Sequence, residues 1–273
     1  MKYMSEIVTH RPKNFEELRR ILKSIDKSGT APYFAVFRGQ NYDWDLKSGI
    51  ARSSSSNSSD ILEREQGLFF EFLNDKCLAS KLQVHKLKQY AFSQIWLGLF
   101  QAQHLRLRTR LLDFSMKYES SLFFSIYDKK KEFVNENGVI WIYKCPRTKF
   151  FNFDAKLYNL NLNPFELEDL YLIKHYTQFE DDYFEALGEI RRNRQHGCFV
   201  ITPSCYLDTA INKIDSYNQY FEKVLITPNI KSEIEEFLDP GLEDYLFCKI
   251  GVYDKIKAKL IETKVDYLNK KYF

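Results

Sequence analysis

The stretch Ala31–Gln40 reads APYFAVFRGQ. Apolar and aromatic residues fill it as far as Phe37, and Pro32 stands at its front, so it predicts a buried strand whose C-terminal end carries Arg38 and Gly39. Three more stretches have this character: Gly138–Lys144 (GVIWIYK), Cys198–Pro203 (CFVITP) and Lys223–Pro228 (KVLITP). Each holds an apolar run of strand length, and the last two are closed by proline. Around them the spacing turns helical. Phe15, Leu18, Leu22 and Ile25 recur at helical intervals within residues 13–27, with Asn14 as N-cap. Asp60-Ile61-Leu62-Glu63 has the form of a capping box and predicts a helix to about residue 75. Residues 88–103 are apolar on most faces and predict a buried helix. Further helices are expected over 116–131, after Asn229 and in the tail from Asp254. The serine-rich segment 53–60 is expected to be a flexible loop, and residues 104–115 a loop between two helices. With no internal repeat and no clean boundary, residues 1–273 predict one α+β domain, its core about 15–255. A helical N-terminal half would pack on a mixed or antiparallel sheet.

Composition narrows the function. The chain has 273 residues, 44% of them hydrophobic, and 40 Lys and Arg against 37 Asp and Glu give a net charge of +3. That balance excludes a disordered chain and argues against a wholesale polyanion binder, so any basic site is local. No apolar run approaches membrane-spanning length, and the N-terminus lacks the apolar region of a secretion signal. A cytoplasmic protein without membrane contact is expected. Five cysteines (77, 145, 198, 205 and 248) with no C-x-x-C spacing point to reduced thiols and no zinc. The ten glycines are scattered singly, with no G-x-G pair. This removes the dinucleotide fingerprint and the P-loop, which cradle phosphate with Gly-rich backbone. A bound nucleotide would need arginine side chains instead.

Three segments have the residues for such a site. The first is Phe37-Arg38-Gly39-Gln40, followed by Trp44, Leu46 and Arg52. An arginine at a strand end beside glycine leaves room for a ligand against a planar five-donor cation. An ion pair to a core carboxylate is an equal alternative. The second runs from Gln103 to Asp113, with His104 in front, Arg106, Arg108 and Arg110 alternating with Leu and Thr109, and Asp113 at the end. Alternation would also fit a strand with a solvated basic face, and Asp113 could pair with Arg110 to hold a loop. The third is Arg191-Arg192-Asn193-Arg194-Gln195-His196-Gly197-Cys198-Phe199, a basic turn entering a strand.

Taken in order, F-R-G-Q with a following Trp, Q-H-x-x-L-x-T-R-L-L-D-F and R-x-x-x-Q-x-G-x-F resemble the FRG domain, named for its Phe-Arg-Gly triplet. The family's motif positions fall on Phe37, Arg38, Gly39 and Gln40, then Gln103, His104, Thr109, Arg110 and Asp113, then Arg191, Gln195, Gly197 and Phe199. The chain departs from the family at Leu105-Arg106-Leu107-Arg108, where members tend to have Gly-Leu-Pro before the Thr-Arg. It departs again at Phe247–Gly251, in place of an acidic C-terminal segment. The resemblance implies a bacterial or phage-related protein of conflict, defence or toxin–antitoxin settings, with an antitoxin partner among the expectations. A looser likeness of layout connects the three segments to ADP-ribosyltransferases, and implies a fold of that kind with NAD as substrate and no metal. On that layout Arg38, Gly39, Gln40, Thr109 and Arg110 would bind NAD. His104, Gln195 and Asp113 would be catalytic. Arg106, Arg108, Arg191, Arg192 and Arg194 would contact a nucleic acid, with a protein as the other acceptor. Other readings are a non-catalytic nucleic-acid or nucleotide binder, a metal-independent nuclease using His104 and His196, and a module that only binds a protein partner.

Overall fold

The apolar runs become strands of one mixed sheet. The computed structural model describes residues 6–26, 32–52, 57–74, 92–154, 162–176, 196–238 and 263–273. In chain order the elements are β1 (Val8–His10), α1 (Phe15–Asp26), β2 (Tyr33–Gln40), α2 (Ser58–Asn74), α3 (Phe92–His104), β3 (Leu111–Ser115) and α4 (Tyr118–Ile126). Then follow β4 (Gly138–Pro146), β5 (Phe150–Asp154), β6 (Tyr171–Tyr176), β7 (Gly197–Ile201), a single helical turn at Asp215–Asn218, β8 (Phe221–Ile226) and α5 (Pro228–Phe237). A last helix, α6, covers residues 263–272. The sheet order is β1-β8-β4-β2-β3-β7-β6-β5. The outer pairs β1–β8 and β5–β6 are parallel, and every inner pair is antiparallel. The fold is the expected single α+β domain with a mixed sheet.

One feature of this sheet positions the site. β2 pairs with β4 along its whole length, from Tyr33↔Pro146 to Gln40↔Val139. β3 pairs with β7 in the same way, from Leu111↔Ile201 to Ser115↔Gly197. Between β2 and β3 the register is a single pair, Phe37↔Ser115. Two four-stranded halves therefore meet at one point and splay beyond it.

Helices cover one face of both halves. On β2, β4 and β8, Phe37, Ile140, Ile142, Val224 and Ile226 pack against α1, α4 and α5. On β3 and β7, Leu111, Phe199 and Ile201 pack against α2, α3 and α6. The opposite face forms one core across both halves, where Val36, Trp141, Leu112, Phe114, Cys198 and Val200 lie under Leu46, Ile211, Ile214 and Tyr217. Alternation along each strand assigns these faces.

Local chemistry accounts for the helix starts and corrects several expectations. Asn14 caps α1 by accepting from the Glu17 N–H at 2.9 Å, as expected. α2 begins within the serine-rich segment, capped by Asn57, which accepts from the Asp60 N–H at 3.0 Å. The Asp60 box is thus inside the helix. Residues 53–56 of the expected loop lie outside the described residues. Thr227 caps α5, with Pro228 at its first turn. The expected helix over 116–131 is shorter, Tyr118–Ile126. Leu111–Ser115, expected as part of a loop, is a central strand. Its neighbours on both sides and cores on both faces bury every residue but Asp113, so no basic face exists.

Gly39 belongs to this framework. A Cβ there would stand 2.0 Å from the Ser121 carbonyl oxygen and 2.7 Å from the Ser125 nitrogen. Gly138 on β4 meets α4 as closely, with the Ser125 oxygen 2.4 Å from where its Cβ would be. The two glycines let the α4 backbone lie directly on the sheet.

Candidate functional site

Where β2 and β3 part, the sheet leaves a cleft of about 640 Å³. β2 contributes Arg38, and β3 contributes Asp113 and Ser115. The loop after β2 adds Gly49 and Arg52, the α3–β3 loop adds Arg106 and Arg108, and α4 adds Ser120, Ser121 and Phe124. Among the described residues, four arginines thus line the cleft against one carboxylate, Asp113.

Arg38 bridges the gap between the strands. Its Nη1 donates to the Asp113 backbone carbonyl at 2.6 Å, in place of the ladder hydrogen bond that the splayed strands no longer make. Its Nε is buried without a hydrogen-bond partner among the described residues. Burial pulls the Arg38 guanidinium down to about 10; Asp113 opposes that shift and Arg52 adds to it. Arg52 is lowered for the same reasons, burial first, with Asp113 opposing and Arg108 adding to the shift. Its Nε donates to the Lys47 carbonyl at 3.2 Å. Arg38, Arg52 and Arg108 thus form a row of like charges, its inner members partly stripped of water. An anionic ligand would relieve both the desolvation and the repulsion.

Asp113 is held from the helical side. Gln103 Nε2 donates to its Oδ2 at 2.9 Å, and the Gln103 Oε1 accepts from the Thr109 hydroxyl at 2.5 Å. Thr109 Oγ1 also accepts from the Leu111 N–H at 3.1 Å. Gln103 and Thr109 therefore fix the strand entry and orient the carboxylate. Thr109 is buried and does not line the cleft, so its expected contact with NAD is corrected to this bracing role.

Arg110 is the larger correction. It is 0% exposed and Glu65 is 1% exposed. Its Nε and Nη2 reach Glu65 Oε2 at 2.8 and 2.5 Å, and its backbone N–H reaches Oε1 at 2.9 Å. Nη1 donates to the Pro164 carbonyl at 2.9 Å and to Ser204 Oγ at 2.8 Å. This side chain ties α2, β3 and two loops together and has no face left for a phosphate. The expected pairing of Arg110 with Asp113 is not formed, and its buried, occupied guanidinium cannot make the expected cofactor contact. Gly39 lines the cleft, but the space beside it is filled by α4 rather than left for a ligand. Gln40 does not line the cleft, and its Oε1 is buried without a partner among the described residues.

Other expected positions fall elsewhere. His104 is the last residue of α3; its side chain lies outside the described residues. Arg191, Arg192, Arg194 and Gln195 lie outside them as well. His196 stands just before β7 with φ of 49° and accepts from the Met116 N–H at 2.9 Å through its carbonyl. Phe37 is core, edge-on to Tyr118, and Phe199 stacks on Phe100 at 5.0 Å. Trp44 is 43% exposed and packs with Tyr42 and Phe133. Arg52 was the residue that sequence spacing did not single out as a ligand contact. Its one signal was its place in the first basic segment, twelve residues of irregular chain beyond the strand.

Among the described residues, no group of three or more His, Cys, Asp or Glu is arranged to hold a metal, and no helix is long and apolar enough to cross a membrane. Cys145 and Cys198 are buried free thiols and Cys205 an exposed one. Comparison with curated proteins and with solved structures finds no match in either. Residues 34–133, which hold most of β2, all of β3, the braces behind them and α4, match the family model described as the FRG domain, so over this span the chain is similar to FRG domains.

Proposed function

We propose that the cleft binds a nucleotide through its pyrophosphate, and that the nucleotide is NAD, used as a donor of ADP-ribose. The observation that carries this is the row Arg38, Arg52 and Arg108, its members close enough to repel and Arg38 desolvated at its inner end, in a cleft of nucleotide size. Planar guanidinium forks suit phosphate oxygens, and this chain has no Gly-rich loop to do the same work. Asp113 supplies a fixed negative charge in the same cleft. In the reaction the bond between the nicotinamide nitrogen and ribose C1′ breaks, and its electron pair leaves with neutral nicotinamide. The cation-like C1′ is stabilised by the Asp113 carboxylate, and a nucleophile forms the new bond and gives up its proton to solvent.

The test is direct titration of the purified protein with ADP and NAD, together with an assay for nicotinamide release. Micromolar to millimolar binding of both, weakened about tenfold or more by Arg38→Ala or Arg52→Ala, is expected for loss of a charge-assisted contact. Release of nicotinamide should fall further in Asp113→Asn than nucleotide affinity does. Absence of binding would overturn the whole reading. Binding without release would reduce it to a nucleotide-binding module.

A further inference from the structure

The cleft passes between the two faces of the sheet, and its two ends differ in charge. Its lining draws on both cores: Leu111 and Phe199 from the helical side, Leu112 and Cys198 from the opposite side. Arg38 lies between Phe37 and Gly39, which both meet α4, so its side chain leaves β2 on the face opposite the helices. Arg52 follows Leu46, which packs on that same face. Asp113 lies between Leu112 and Phe114, which also pack there, so its side chain leaves β3 on the helical face, where Gln103 of α3 holds it. Arg38 and Arg52 therefore stand at one end of the cleft and the carboxylate at the other.

α4 brings a second polar group to the carboxylate end. Ser121 lines the cleft and is 1% exposed, and its hydroxyl has no hydrogen-bond partner among the described residues. A helical serine can return its hydroxyl to a carbonyl of the preceding turn, as Ser125 does to Leu122 at 2.7 Å. Ser121, one turn earlier in the same helix, does not. Close packing of α4 on Gly39 asks for a small residue at this position, and alanine would satisfy it without burying an unpaired hydroxyl. Asp113 also has capacity left. It is exposed, and among the described residues Gln103 is the one donor to its side chain, at Oδ2.

We infer that Ser121 and Asp113 bind a sugar diol of the ligand, beyond the phosphates held by Arg38 and Arg52. A carboxylate only accepts hydrogen bonds, whereas a serine hydroxyl both donates and accepts. Two neighbouring sugar hydroxyls match that pair: one donates to Asp113 and the other exchanges hydrogen bonds with Ser121. A further phosphate at this end would meet the Asp113 charge, and an apolar group would leave the Ser121 hydroxyl unpaired. This rests on the reading that the cleft holds a nucleotide pyrophosphate. It adds the residue that takes the sugar, and a preference for nucleotides that continue past the pyrophosphate.

The test is titration of the full chain with ADP and with ADP-ribose, which differ by the terminal sugar. The parent should bind ADP-ribose about five- to tenfold more tightly than ADP, as one or two added hydrogen bonds allow. Ser121→Ala should lose most of that preference and keep its ADP affinity within about twofold of the parent's. The variant should also unfold at a denaturant concentration equal to or above the parent's, since it removes an unpaired buried hydroxyl and keeps the packing on Gly39. That result separates a lost ligand contact from a damaged fold. Equal affinity for ADP and ADP-ribose, or a preference that survives Ser121→Ala, would overturn the sugar site and leave the nucleotide reading standing. Equal losses for both ligands in Ser121→Ala would put the hydroxyl on the phosphates and overturn it as well. Binding of neither ligand to the parent would overturn the nucleotide reading, and the sugar site with it.

Discussion

At residue scale, two arginines of similar sequence context have opposite fates. Arg38 faces the cleft with a buried Nε that has no partner among the described residues, whereas Arg110 spends its guanidinium nitrogens on Glu65, Pro164 and Ser204. The sequence marks both as motif arginines, but Glu65 lies 45 positions away on α2, and no spacing rule connects it to Arg110. Arg110 was thus legible as important and illegible in role, because its partner is set by tertiary packing. Replacing only Glu65 or only Arg110 by alanine strands a buried charge and should cost about 3–5 kcal/mol in urea unfolding. The double change Glu65→Leu with Arg110→Met should recover most of that loss and leave ADP affinity near the parent's. A large drop in ADP affinity in the stable double variant would show that Arg110 reaches the ligand after all.

At element scale, the strands that could be read were those with long apolar runs: β2, β4, β7 and β8. β3 was hidden because its five residues follow an alternating Arg-Leu stretch that ends where the strand begins. β1, β5 and β6 sit at or near the sheet edges, where three to six residues show too little pattern. β1 is held to its neighbours by side chains: His10 Nε2 lies 3.0 Å from Glu222 Oε2 on β8, and Lys144 on β4 bonds the other oxygen. Burial alone would raise the Glu222 carboxyl, but hydrogen bonds from Lys144 and His10 outweigh it and hold the group below its ordinary 4.5. A depressed carboxylate contributes stability above the unfolded value, and loses it as pH falls through the lower folded value. Parent stability should therefore drop from pH 5 towards pH 3 by more than that of Glu222→Gln, as read from urea midpoints. Equal slopes would remove the ion pair from any account of how β1 is attached. The α4 contact is less forgiving. Gly39→Ala sets a methyl group 2.0 Å from backbone and must shift the helix that walls the cleft. It should cost at least about 1–3 kcal/mol and weaken ADP binding through geometry, with no change of charge.

At the scale of the whole molecule, the sheet is two halves joined at Phe37↔Ser115 and backed by one continuous core on the face opposite α1 to α6. Arg38 and Arg52 follow Phe37 in the chain, whereas Arg106 and Arg108 lead into β3 and Asp113 lies within it, on the other side of the junction. A ligand held by both sets would tie the halves together. In its absence the row of arginines works against the junction. Burial lowers Arg38 to about 10, so the folded state gives up its proton before the unfolded state does. The cost of burying that charge is therefore present below pH 10 and is relieved as pH rises above it. Arg52→Ala removes one repelling neighbour and, among the described residues, one side-chain hydrogen bond, to the Lys47 carbonyl, so the unliganded variant should be at least as stable as the parent near neutral pH. ADP at about 100 times its dissociation constant should stabilise the parent by about 2.7 kcal/mol. At that same ADP concentration the increment should fall below about 1.5 kcal/mol in Arg52→Ala if affinity drops tenfold or more. Hydrogen exchange locates the effect: ADP should slow the amides of Arg38 to Gln40 and of Leu111 to Ser115 more than those of β8, which lies beyond β4 from the junction. Uniform slowing across the sheet, or an equal increment in Arg52→Ala, would mean that the ligand does not act where the two halves part.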